Sequence, residues 1–428
     1  MDIKLIRENA EIVRKDFKKR GRDQKEIDEV IRYDNEWRTC LQKASEMKAE
    51  RNKVTRDIAG LKKENKDKDA SKKISQMKKL SAGITEMDSK ADKCIIKRDQ
   101  LLLRIPNILH ESVPTGKDDS ENVCIKTWGK KKTYNYPIKS HVDLIKENDW
   151  ADIERAAKTS GSRFYFLKGD LARLNFAIQK HAIDFICNRG FTLMETPMMI
   201  RRDIVEGVTD LADFEETIYK IEDEDLYMIA TSEHPLGGYH MNEILNKKDL
   251  PLKYAGISSC FRKEAGSHGK DTKGIFRVHQ FTKIEQFIFS TPEDSWKHHD
   301  EITKNAEDFF QSLGIPYRVV NICTGDIGIV AAKKYDIEIW MPVQKTYREV
   351  VSSSNCTDYQ GRRLKIRYVE KSGEQTKHIH TLNSTLVATS RVLVAILENN
   401  QKADGSVEIP KVLQPYMNNQ KVLKPGKK

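Results

Sequence analysis

The chain has 428 residues, which exceeds the size of one typical compact domain and predicts at least two. Hydrophobic residues make up 38% and charged residues 32%, so one part can form a core while another part has little of one. The net charge of +11 is compatible with a polyanionic partner, and no apolar run reaches the length of about eighteen residues that a membrane-spanning helix needs.

The cysteines and the N-terminal residues predict a cytoplasmic protein without zinc. The seven cysteines are scattered, with no Cys-x-x-Cys pair and no Cys/His cluster at zinc-ligand spacing. Such a distribution suits a reducing compartment, where thiols serve as small apolar side chains. Met1–Glu8 contains acidic residues and no apolar core of signal-peptide length, so neither a secretory signal nor a mitochondrial presequence is expected.

The first long region of the chain has a helical pattern. Residues 24–104 contain no proline, and apolar residues recur at steps of three and four on both sides of a polar stretch at 64–69. This periodicity predicts two helices of about 35 to 40 residues, joined by a tight turn and packed antiparallel through a narrow seam. At about 1.5 Å per residue, such a coiled-coil arm projects on the order of 50 to 60 Å.

The outer part of this arm is strongly basic, since residues 41–80 contain thirteen Lys or Arg and six Asp or Glu. One interpretation is a solvated coiled coil whose lysines provide solubility. The other is a lever that lies along the phosphates of a long folded RNA, where contacts give affinity and register rather than base recognition. In the second interpretation the candidate RNA-contacting side chains are Lys53, Arg56, Lys62, Lys63, Lys72 and Lys73.

Pro106 ends the arm, and the character of the chain then changes. The predicted divisions are a helical domain at 1–112, a linker at 113–165, a globular domain at 166–415 and a basic tail at 416–428. A helix at 170–189, a strand at 191–196 and a last helix at 385–398 are expected in the globular domain. Further strand-like segments are Leu226–Ala230, Leu252–Ile257, Gly274–Phe281, Ile284–Phe289, Tyr317–Val320, Ile337–Trp340, Val350–Ser353 and Arg363–Tyr368. Hairpin-rich strands flanked by helices indicate an α+β domain built on an antiparallel sheet.

The segment from Cys260 to Phe281 has the most informative composition. It is expected to form a strand, a basic loop and a second strand, with Arg262, Glu264 and Arg277 on or beside the strands and Glu285 just beyond. Two arginines and two carboxylates on one hairpin can bind a phosphate and an ammonium group together. ATP-dependent activation of an amino acid is the leading reaction that needs both.

The basic loop within this segment, Ser267–Lys273, is not a P-loop. The first glycine of that motif is missing, and Asp271 stands where a Ser or Thr is required. A glycine-spaced loop between two strands is more typical of a segment that closes over a ligand or a nucleic-acid end.

Three further sites each allow a structural and a functional interpretation. Thr231-Ser232-Glu233 follows an apolar run, so these residues can be an ordinary helix cap or part of a ligand site. Glu349 and Ser352 offer a carboxylate and a hydroxyl of the kind that Mg²⁺ prefers when it also holds nucleotide phosphates. Arg391 lies in an apolar helix and must find an anion, either a buried carboxylate or a phosphate from a ligand.

Taken together, these blocks resemble the class II seryl-tRNA synthetases, and the resemblance extends over nearly the whole chain. The hairpin at 260–281 resembles the second class-defining motif, 190–197 the first, and 383–391 with 404–410 the third. The arm, Thr231–Glu233 and the block Ser354–Gln360 are similar to features of the seryl branch. The residues of the second motif and of the block Ser354–Gln360 look most similar to those of eukaryotic cytosolic members. Lys263 and the loop at 207–211 depart from the usual pattern.

The resemblance implies roles at an ATP site. Arg262 should hold the α-phosphate and the substrate carboxylate, Glu264 the adenine amino group and Arg391 the γ-phosphate, while Phe281 should stack on the adenine ring. Glu349 and Ser352 should ligate Mg²⁺, and Arg262, Glu349 and Arg391 form the catalytic set. The remaining ATP-binding positions implied are Lys263, Arg277, Val278, Val350 and Val351.

The resemblance also implies a serine site. Thr231 and Glu233 should fix the ammonium group, and Glu285 and Thr385 should bind the hydroxyl. Arg262 and Asn383 complete the implied serine-binding set. A site that hydrogen-bonds a substrate hydroxyl rejects alanine strongly, because its polar groups would otherwise be left unpaired.

The implied reaction is the attachment of L-serine to tRNA(Ser) through a seryl-adenylate, with release of diphosphate and AMP, and the same reaction on tRNA(Sec) where that tRNA exists. The implied partners are ATP, Mg²⁺, L-serine, tRNA(Ser) and a second copy of the chain at the first motif. Two other classes remain: a ligase that loads a carrier protein, which should lack the long basic arm, and an inactive binding protein on the same scaffold, although all matched positions carry competent residues.

Overall fold

The computed structural model describes residues 1–209, 217–264, 273–371 and 373–426. Contacts within the described residues divide the chain into two units, Met1–Ile108 and Leu109–Lys428. The α-helices within these ranges are α1 Ile3–Lys19, α2 Lys25–Lys63, α3 Asp67–Leu102, α4 His141–Glu147, α5 Ile153–Ser160, α6 Gly169–Cys187, α7 Arg202–Val208, α8 Glu233–Gly238, α9 Ser295–Leu313, α10 Tyr359–Arg363 and α11 Thr389–Asn399.

The first unit contains the predicted two-helix arm. α2 has 39 residues and α3 has 36, with a turn at residues 64–66 between them, so the predicted lengths are confirmed. The seam between the two helices is narrow because small and medium side chains fill it. The buried residues of α2 and α3 along it include Cys40, Ala44, Val54, Ala70, Ile84, Ala91 and Cys94.

The base of the arm carries a small core and a buried ion-pair cluster. α1, which the periodicity analysis did not identify, packs Ile6, Val13 and Phe17 against residues of α2 and the end of α3. Asp34 on α2 lies 2.6 Å from Arg7 and 2.9 Å from Arg98. Burial opposes ionisation of Asp34, yet the hydrogen bonds from the two arginines hold its pKa below the ordinary value.

The second unit is built on a sheet that has eight strands among the described residues, in the order β1-β10-β11-β12-β15-β9-β8-β4. Neighbouring strands of this sheet run antiparallel except β4 and β8, which run parallel. The strands of the unit are β1 Val123–Trp128, β2 Ala151–Asp152, β3 Phe166–Leu167, β4 Thr192–Glu195, β5 Met199–Arg201, β6 Leu226–Met228, β7 Ile244–Asn246, β8 Leu252–Phe261, β9 Gln280–Ser290, β10 Tyr317–Asn321, β11 Lys333–Met341, β12 Thr346–Asn355, β13 Arg367–Val369, β14 Lys377–His378, β15 His380–Ala388, β16 Val407–Glu408 and β17 Val422–Leu423.

The core of this unit lies between the sheet and the helices that cover it. α6, α9 and α11 contribute most of the buried helical residues, and α11 is buried over nearly its whole length. The predicted α+β class with an antiparallel sheet and a helical arm is therefore confirmed. No helix within the described ranges is both long and apolar enough to cross a membrane.

Several predicted element boundaries were wrong. The last helix begins at Thr389 rather than Thr385, because 380–388 form β15 and pair with β9 and β12. A short apolar run fits a buried strand as well as a buried helix, so periodicity alone could not separate them. The second strand of the hairpin begins at Gln280 rather than Gly274, and the strand predicted at 363–368 is reduced to 367–369 because α10 ends at Arg363.

The C-terminal segment packs against the second unit as far as it is described. β17 pairs with β16, and the side chains of Met417 and Leu423 are fully buried. The predicted basic tail at 416–428 therefore includes two buried apolar side chains, Met417 and Leu423. The predicted divisions at residues 112 and 165 stay predictions.

Candidate active site

A cavity of about 540 Å³ opens on one face of the large sheet. Strands β9, β12 and β15 form its floor, and segments beside β6 and β8 form one side. Nine of the predicted site residues line it: Thr231, Glu233, Arg262, Glu264, Glu285, Glu349, Ser352, Asn383 and Thr385. The fold therefore gathers residues that lie as far as 154 positions apart in the chain.

The other predicted residues lie beside the cavity or under it. Arg277 and Arg391 contact residues of the cavity wall, Glu264 and Glu349 respectively. Lys263 faces Tyr219, with its Nζ 5.8 Å from the ring centre. Val278, Val350 and Val351 are buried apolar side chains of the interior, so a role for them in binding would depend on their backbone atoms.

Arg262 directly follows the end of β8, and two hydrogen bonds and a contact with an aromatic ring fix its position. Its amide donates to the carbonyl of His279 at 2.9 Å, which joins the two ends of the hairpin. Its Nε donates to the carbonyl of Ala230 at 3.3 Å, and its guanidinium lies 5.2 Å from the ring centre of Phe281. These contacts place a permanent cation at the mouth of the cavity, where an anion can be bound.

Glu264 and Arg277 form an ion pair across the hairpin, with 3.1 Å between Oε2 and Nη1. Glu264 has a positive φ of 51°, and its carbonyl accepts from Arg163 Nη1 at 3.1 Å. The pair fixes the Glu264 carboxylate beside the cavity. The basic loop predicted to close over the ligand, Ser267–Lys273, lies outside the described residues except for Lys273. Residues 210 and 211 of the 207–211 loop also lie outside the described residues.

Arg391 finds a partner in Glu349. Its Nη1 donates to the Glu349 carbonyl at 2.9 Å and lies 3.6 Å from Oε1 of the same residue. Burial lowers the pKa of Arg391, and Glu349 opposes that change. Desolvation opposes ionisation of Glu349, but Arg391 and Lys334 hold its pKa below the ordinary value. The anion that Arg391 requires is thus partly supplied by a carboxylate, in a position that also borders the cavity.

Glu349 and Ser352 reach the same cavity because β12 carries a bulge. Residues three apart on a regular strand point to opposite faces. Here Ile337 pairs with Val351 and Glu338 pairs with Glu349, so Val350 is an extra residue between them. The bulge turns Glu349 and Ser352 to one face of the sheet.

Asp336 was not predicted as a site residue, although it supports this region. It lies opposite Ser352 on β11 and its side chain is hydrogen-bonded to Ser352. Burial raises the pKa of Asp336 to about 7, and Glu349 adds to the rise while Lys334 opposes it. Asp336 lies beside Ser352 because of the register between β11 and β12, which cannot be predicted from one sequence.

The donors in this region fit a hard cation that also binds a ligand. Glu349 and Ser352 provide a carboxylate and a hydroxyl, and oxygen donors of this kind suit Mg²⁺. Within the ranges that the structure describes, no group of three or more His, Cys, Asp or Glu side chains could hold a metal ion.

Thr231 and Glu233 act both as a helix start and as cavity residues. The Thr231 hydroxyl accepts from the Glu233 amide at 3.2 Å and so satisfies the first amide of α8, whereas Ser232, at the N-cap position, makes no side-chain capping hydrogen bond. The Glu233 carboxylate accepts from Gln360 and Asn383, each at 3.1 Å. Burial raises the pKa of Glu233 to about 7, and the nearby carboxylate of Glu285 adds to the rise.

Glu285 lies on β9 opposite Thr385 on β15. Its side chain is 1% exposed and lies 2.6 Å from Nζ of Lys283, a residue that the sequence analysis did not single out. Burial raises the pKa of Glu285, while Lys283 and the Thr385 hydroxyl oppose the rise. Lys283 fell between the two strands predicted at 274–281 and 284–289, and only the observed strand β9, Gln280–Ser290, brings Lys283 and Glu285 to one face at a spacing of two.

The candidate RNA-contacting residues lie on the arm and differ in how their charges are satisfied. Lys53, Arg56, Lys62 and Lys63 are exposed. Lys72 is exposed and lies 3.5 Å from Asp69, whereas the half-buried Lys73 forms an ion pair with Asp57 at 3.0 Å. Both interpretations of the basic flank remain compatible with this arrangement.

Comparisons with known proteins give the same assignment for both units. Residues 1–109 match the model of the seryl-tRNA synthetase N-terminal domain, and residues 217–400 match that of the tRNA synthetase class II core domain (G, H, P, S and T). A serine–tRNA ligase of Methanocella arvoryzae is 52% identical over 98% of this chain and 99% of its own length. A serine–tRNA ligase of Pyrococcus horikoshii is 50% identical over 100% of this chain and 98% of its own.

Solved structures extend the likeness to three dimensions. The crystal structure of seryl-tRNA synthetase from Pyrococcus horikoshii complexed with ATP covers 100% of both chains with a TM-score of 0.95 at 50% identity. The cytoplasmic serine–tRNA ligase from Naegleria fowleri in complex with AMP covers 100% of this chain and 99% of its own, with a TM-score of 0.89 at 39% identity. The expected closeness to eukaryotic cytosolic members finds no support, since the curated relatives at 50–52% identity are archaeal. The chain belongs to the seryl-tRNA synthetase family of class II aminoacyl-tRNA synthetases.

Proposed function

We propose that this chain attaches L-serine to tRNA(Ser) in two steps. Serine and ATP first give a seryl-adenylate and diphosphate, and the seryl group then passes to the terminal ribose of the tRNA with release of AMP. The observation that carries the proposal is that one cavity joins the Arg262 guanidinium to the half-buried carboxylate of Glu233 and the buried carboxylate of Glu285. This combination can hold a phosphate and an aminoacyl group side by side.

In the first step Arg262 binds the α-phosphate and the serine carboxylate, which reduces the repulsion between two anions that must approach each other. The contact between Arg262 and Phe281 supports a place for the adenine ring, and the Glu264 carboxylate accepts from its amino group. Arg391, at the border of the cavity beside Glu349, binds the γ-phosphate. Backbone atoms at Lys263, Val278, Val350 and Val351 complete the binding of ATP.

Serine is held at the other end of the cavity. Its ammonium group lies between the Thr231 hydroxyl and the Glu233 carboxylate, which Asn383 orients. Its hydroxyl is bound by Glu285 and Thr385, which lie opposite each other on neighbouring strands. The raised pKa of the half-buried Glu233 supports its place in a binding site, because a substrate ammonium beside the carboxylate would favour its ionised form.

Mg²⁺, held by Glu349 and Ser352 together with phosphate oxygens, would neutralise negative charge on the phosphates. The chain contributes the geometry of that site through the bulge in β12, and Asp336 orients the Ser352 hydroxyl. Arg391 restrains the Glu349 backbone, so a change in either residue would disturb the other.

The arm contributes the second substrate. Its exposed basic side chains Lys53, Arg56, Lys62, Lys63 and Lys72, with Lys73 beside them, contact the phosphates of tRNA(Ser). The acceptor is expected to include tRNA(Sec) where that tRNA occurs. A cytoplasmic location and the closing of the basic loop over ATP and the tRNA end remain predictions.

A second copy of the chain is proposed to pack at the first-motif region. Support comes from three exposed apolar side chains there, Leu193, Met198 and Met199, which are 40%, 42% and 47% exposed. Leu193 belongs to β4, the edge strand of the large sheet. An exposed apolar group on a strand edge favours burial against a partner.

The test is ATP–pyrophosphate exchange with serine, threonine and alanine, in the wild-type chain and in Arg262→Ala. Serine should be the preferred amino acid, and Arg262→Ala should reduce serine-dependent exchange by at least about 1,000-fold while the folded state persists by circular dichroism. Arg155→Ala, which removes an arginine that is 75% exposed and outside the cavity, is the matched control. Exchange near the wild-type rate in Arg262→Ala would overturn the assignment.

A further inference from the structure

Lys283 is a buried cation at the serine end of the cavity and has no role in the scheme above. Its Nζ lies 2.6 Å from Oε2 of Glu285, and the two side chains are 9% and 1% exposed. The same Nζ donates to the Thr231 hydroxyl oxygen at 3.2 Å. One ammonium group therefore connects the residue proposed to bind the serine hydroxyl with a residue proposed to bind the serine ammonium.

The strand geometry aims this pair into the cavity. Lys283 and Glu285 are two residues apart on β9, so both point to the same face of the sheet, and both line the cavity. Thr231 approaches from the segment between β6 and α8, which is a different part of the fold. The contact is therefore tertiary and fixes the separation between the two sides of the serine end.

The hydrogen-bonding capacity of Glu285 leaves room for a ligand. A carboxylate offers about four lone-pair sites. Lys283 Nζ lies 2.6 Å from Oε2 as an ion-pair partner without a well-aligned hydrogen bond to it, and the Thr385 hydroxyl donates to the carboxylate. The remaining capacity can accept a hydrogen bond from a substrate hydroxyl. Lys283 itself has only donors, so it cannot accept that hydrogen bond.

The charge environment shows why Glu285 needs Lys283. Glu285 lies close enough to Glu233 for its charge to raise the pKa of the half-buried Glu233 carboxyl group, and Glu285 itself is buried. Arg262 lies farther along the cavity and also favours ionisation of Glu285, but less than Lys283 does. Without Lys283, the buried carboxylate of Glu285 would face the carboxylate of Glu233, and Arg262, farther along the cavity, would be the cation left to balance them.

We propose that Lys283 is a positioning residue for serine selection, which holds the Glu285 carboxylate as an oriented acceptor for the substrate hydroxyl. The inference rests on the proposed assignment of the cavity to serine. It predicts that Lys283 contributes to the preference for serine over alanine, because only serine uses the acceptor that Lys283 orients.

The experiment compares Lys283→Met, Lys283→Arg, Glu285→Gln and the double variant Lys283→Met/Glu285→Gln in amino-acid-dependent ATP–pyrophosphate exchange. Lys283→Met should lower kcat/KM for serine by about 100-fold, which is the effect expected for loss of a charged hydrogen-bonding partner, and lower it for alanine by less than about threefold. Lys283→Arg should restore part of the serine activity. The double variant should be no worse than Glu285→Gln alone, since Lys283 acts through Glu285.

Lys253→Met is the matched control, because Lys253 also forms a 2.6 Å ion pair with a glutamate, Glu301, but does not line the cavity. It should leave the serine-to-alanine ratio unchanged. Equal losses for serine and alanine in Lys283→Met, or additive losses in the double variant, would assign Lys283 a structural role and overturn the inference. A wild-type chain that does not prefer serine would instead overturn the proposed function, so the two failures are distinguishable.

Discussion

The arm and the cavity use charged residues in opposite ways. Along the arm, charges such as Lys62 and Lys63 are exposed, and the seam between the helices is apolar and thin. In the cavity, Glu285 and Lys283 are removed from water, and both affect the charge state of the half-buried Glu233. Solvated charges act collectively and are weakened by salt, whereas desolvated charges act individually and respond to pH. The two regions should therefore respond to different perturbations.

Removal of the arm should give the largest difference between the activities that depend on the two regions. Replacing residues 41–93 by a short Gly/Ser linker keeps Asp34 with its two arginines at the base of the arm. Serine-dependent pyrophosphate exchange should stay within about twofold of the wild-type rate, while charging of tRNA(Ser) should fall by at least about 1,000-fold because the phosphate contacts are lost. Steady-state aminoacylation measures the second quantity.

Wild-type tRNA charging after removal of residues 41–93 would show that the arm is not needed to bind tRNA(Ser). The control is Lys25→Ala in the full-length chain. Lys25 lies at the exposed start of α2, and the six candidate basic residues are retained. This variant should charge tRNA at the wild-type rate.

The next effect concerns pH and the cavity. The pKa of Glu233 is about 7, so its carboxylate is protonated below that pH and must ionise to bind the serine ammonium. We expect KM for serine to be nearly constant above about pH 8 and to rise up to about tenfold per pH unit as the pH falls below 7. Pyrophosphate exchange at several pH values measures this profile.

Glu233→Gln provides the control for this profile. The variant should have a high KM for serine that changes little between pH 6 and pH 8, because the titrating carboxyl group is gone. A profile in the variant that still follows the wild-type curve would show that another group, such as Glu285 or Asp336, is responsible.

The smallest effects should come from single charges on the arm. Lys62→Ala and Lys63→Ala should each weaken tRNA binding by only a few fold at moderate salt, with unchanged pyrophosphate exchange, and the double variant should reduce the slope of log affinity against log salt by about two. Nitrocellulose filter binding over a range of salt concentrations measures this. Unchanged affinity and slope would favour the interpretation of the basic flank as a solubility feature.

The same contrast explains how much could be predicted from the sequence. The arm was predictable because a period of three to four over some eighty residues is a local property, and the hairpin was predictable because Arg262 and Glu264 are adjacent to a clear strand. The boundary at Thr389 and the pairing of Asp336 with Ser352 depend on strand neighbours that are distant in the chain. Lys283 was missed because a single lysine in a strand has no distinctive pattern until its partners are known.

The bulge at Val350 has a consequence for how β12 tolerates change in length. The strand is divided by Val350 into two stretches whose side-chain alternation is out of phase, and Glu349 and Ser352 lie on either side of the division. Deletion of Val350 would remove the bulge and leave Glu349 and Ser352 two positions apart on a regular strand, so both oxygen donors would still point to one face of the sheet. The spacing of three between the donors is thus a consequence of the bulge, and a spacing of two on a regular strand would serve the same face.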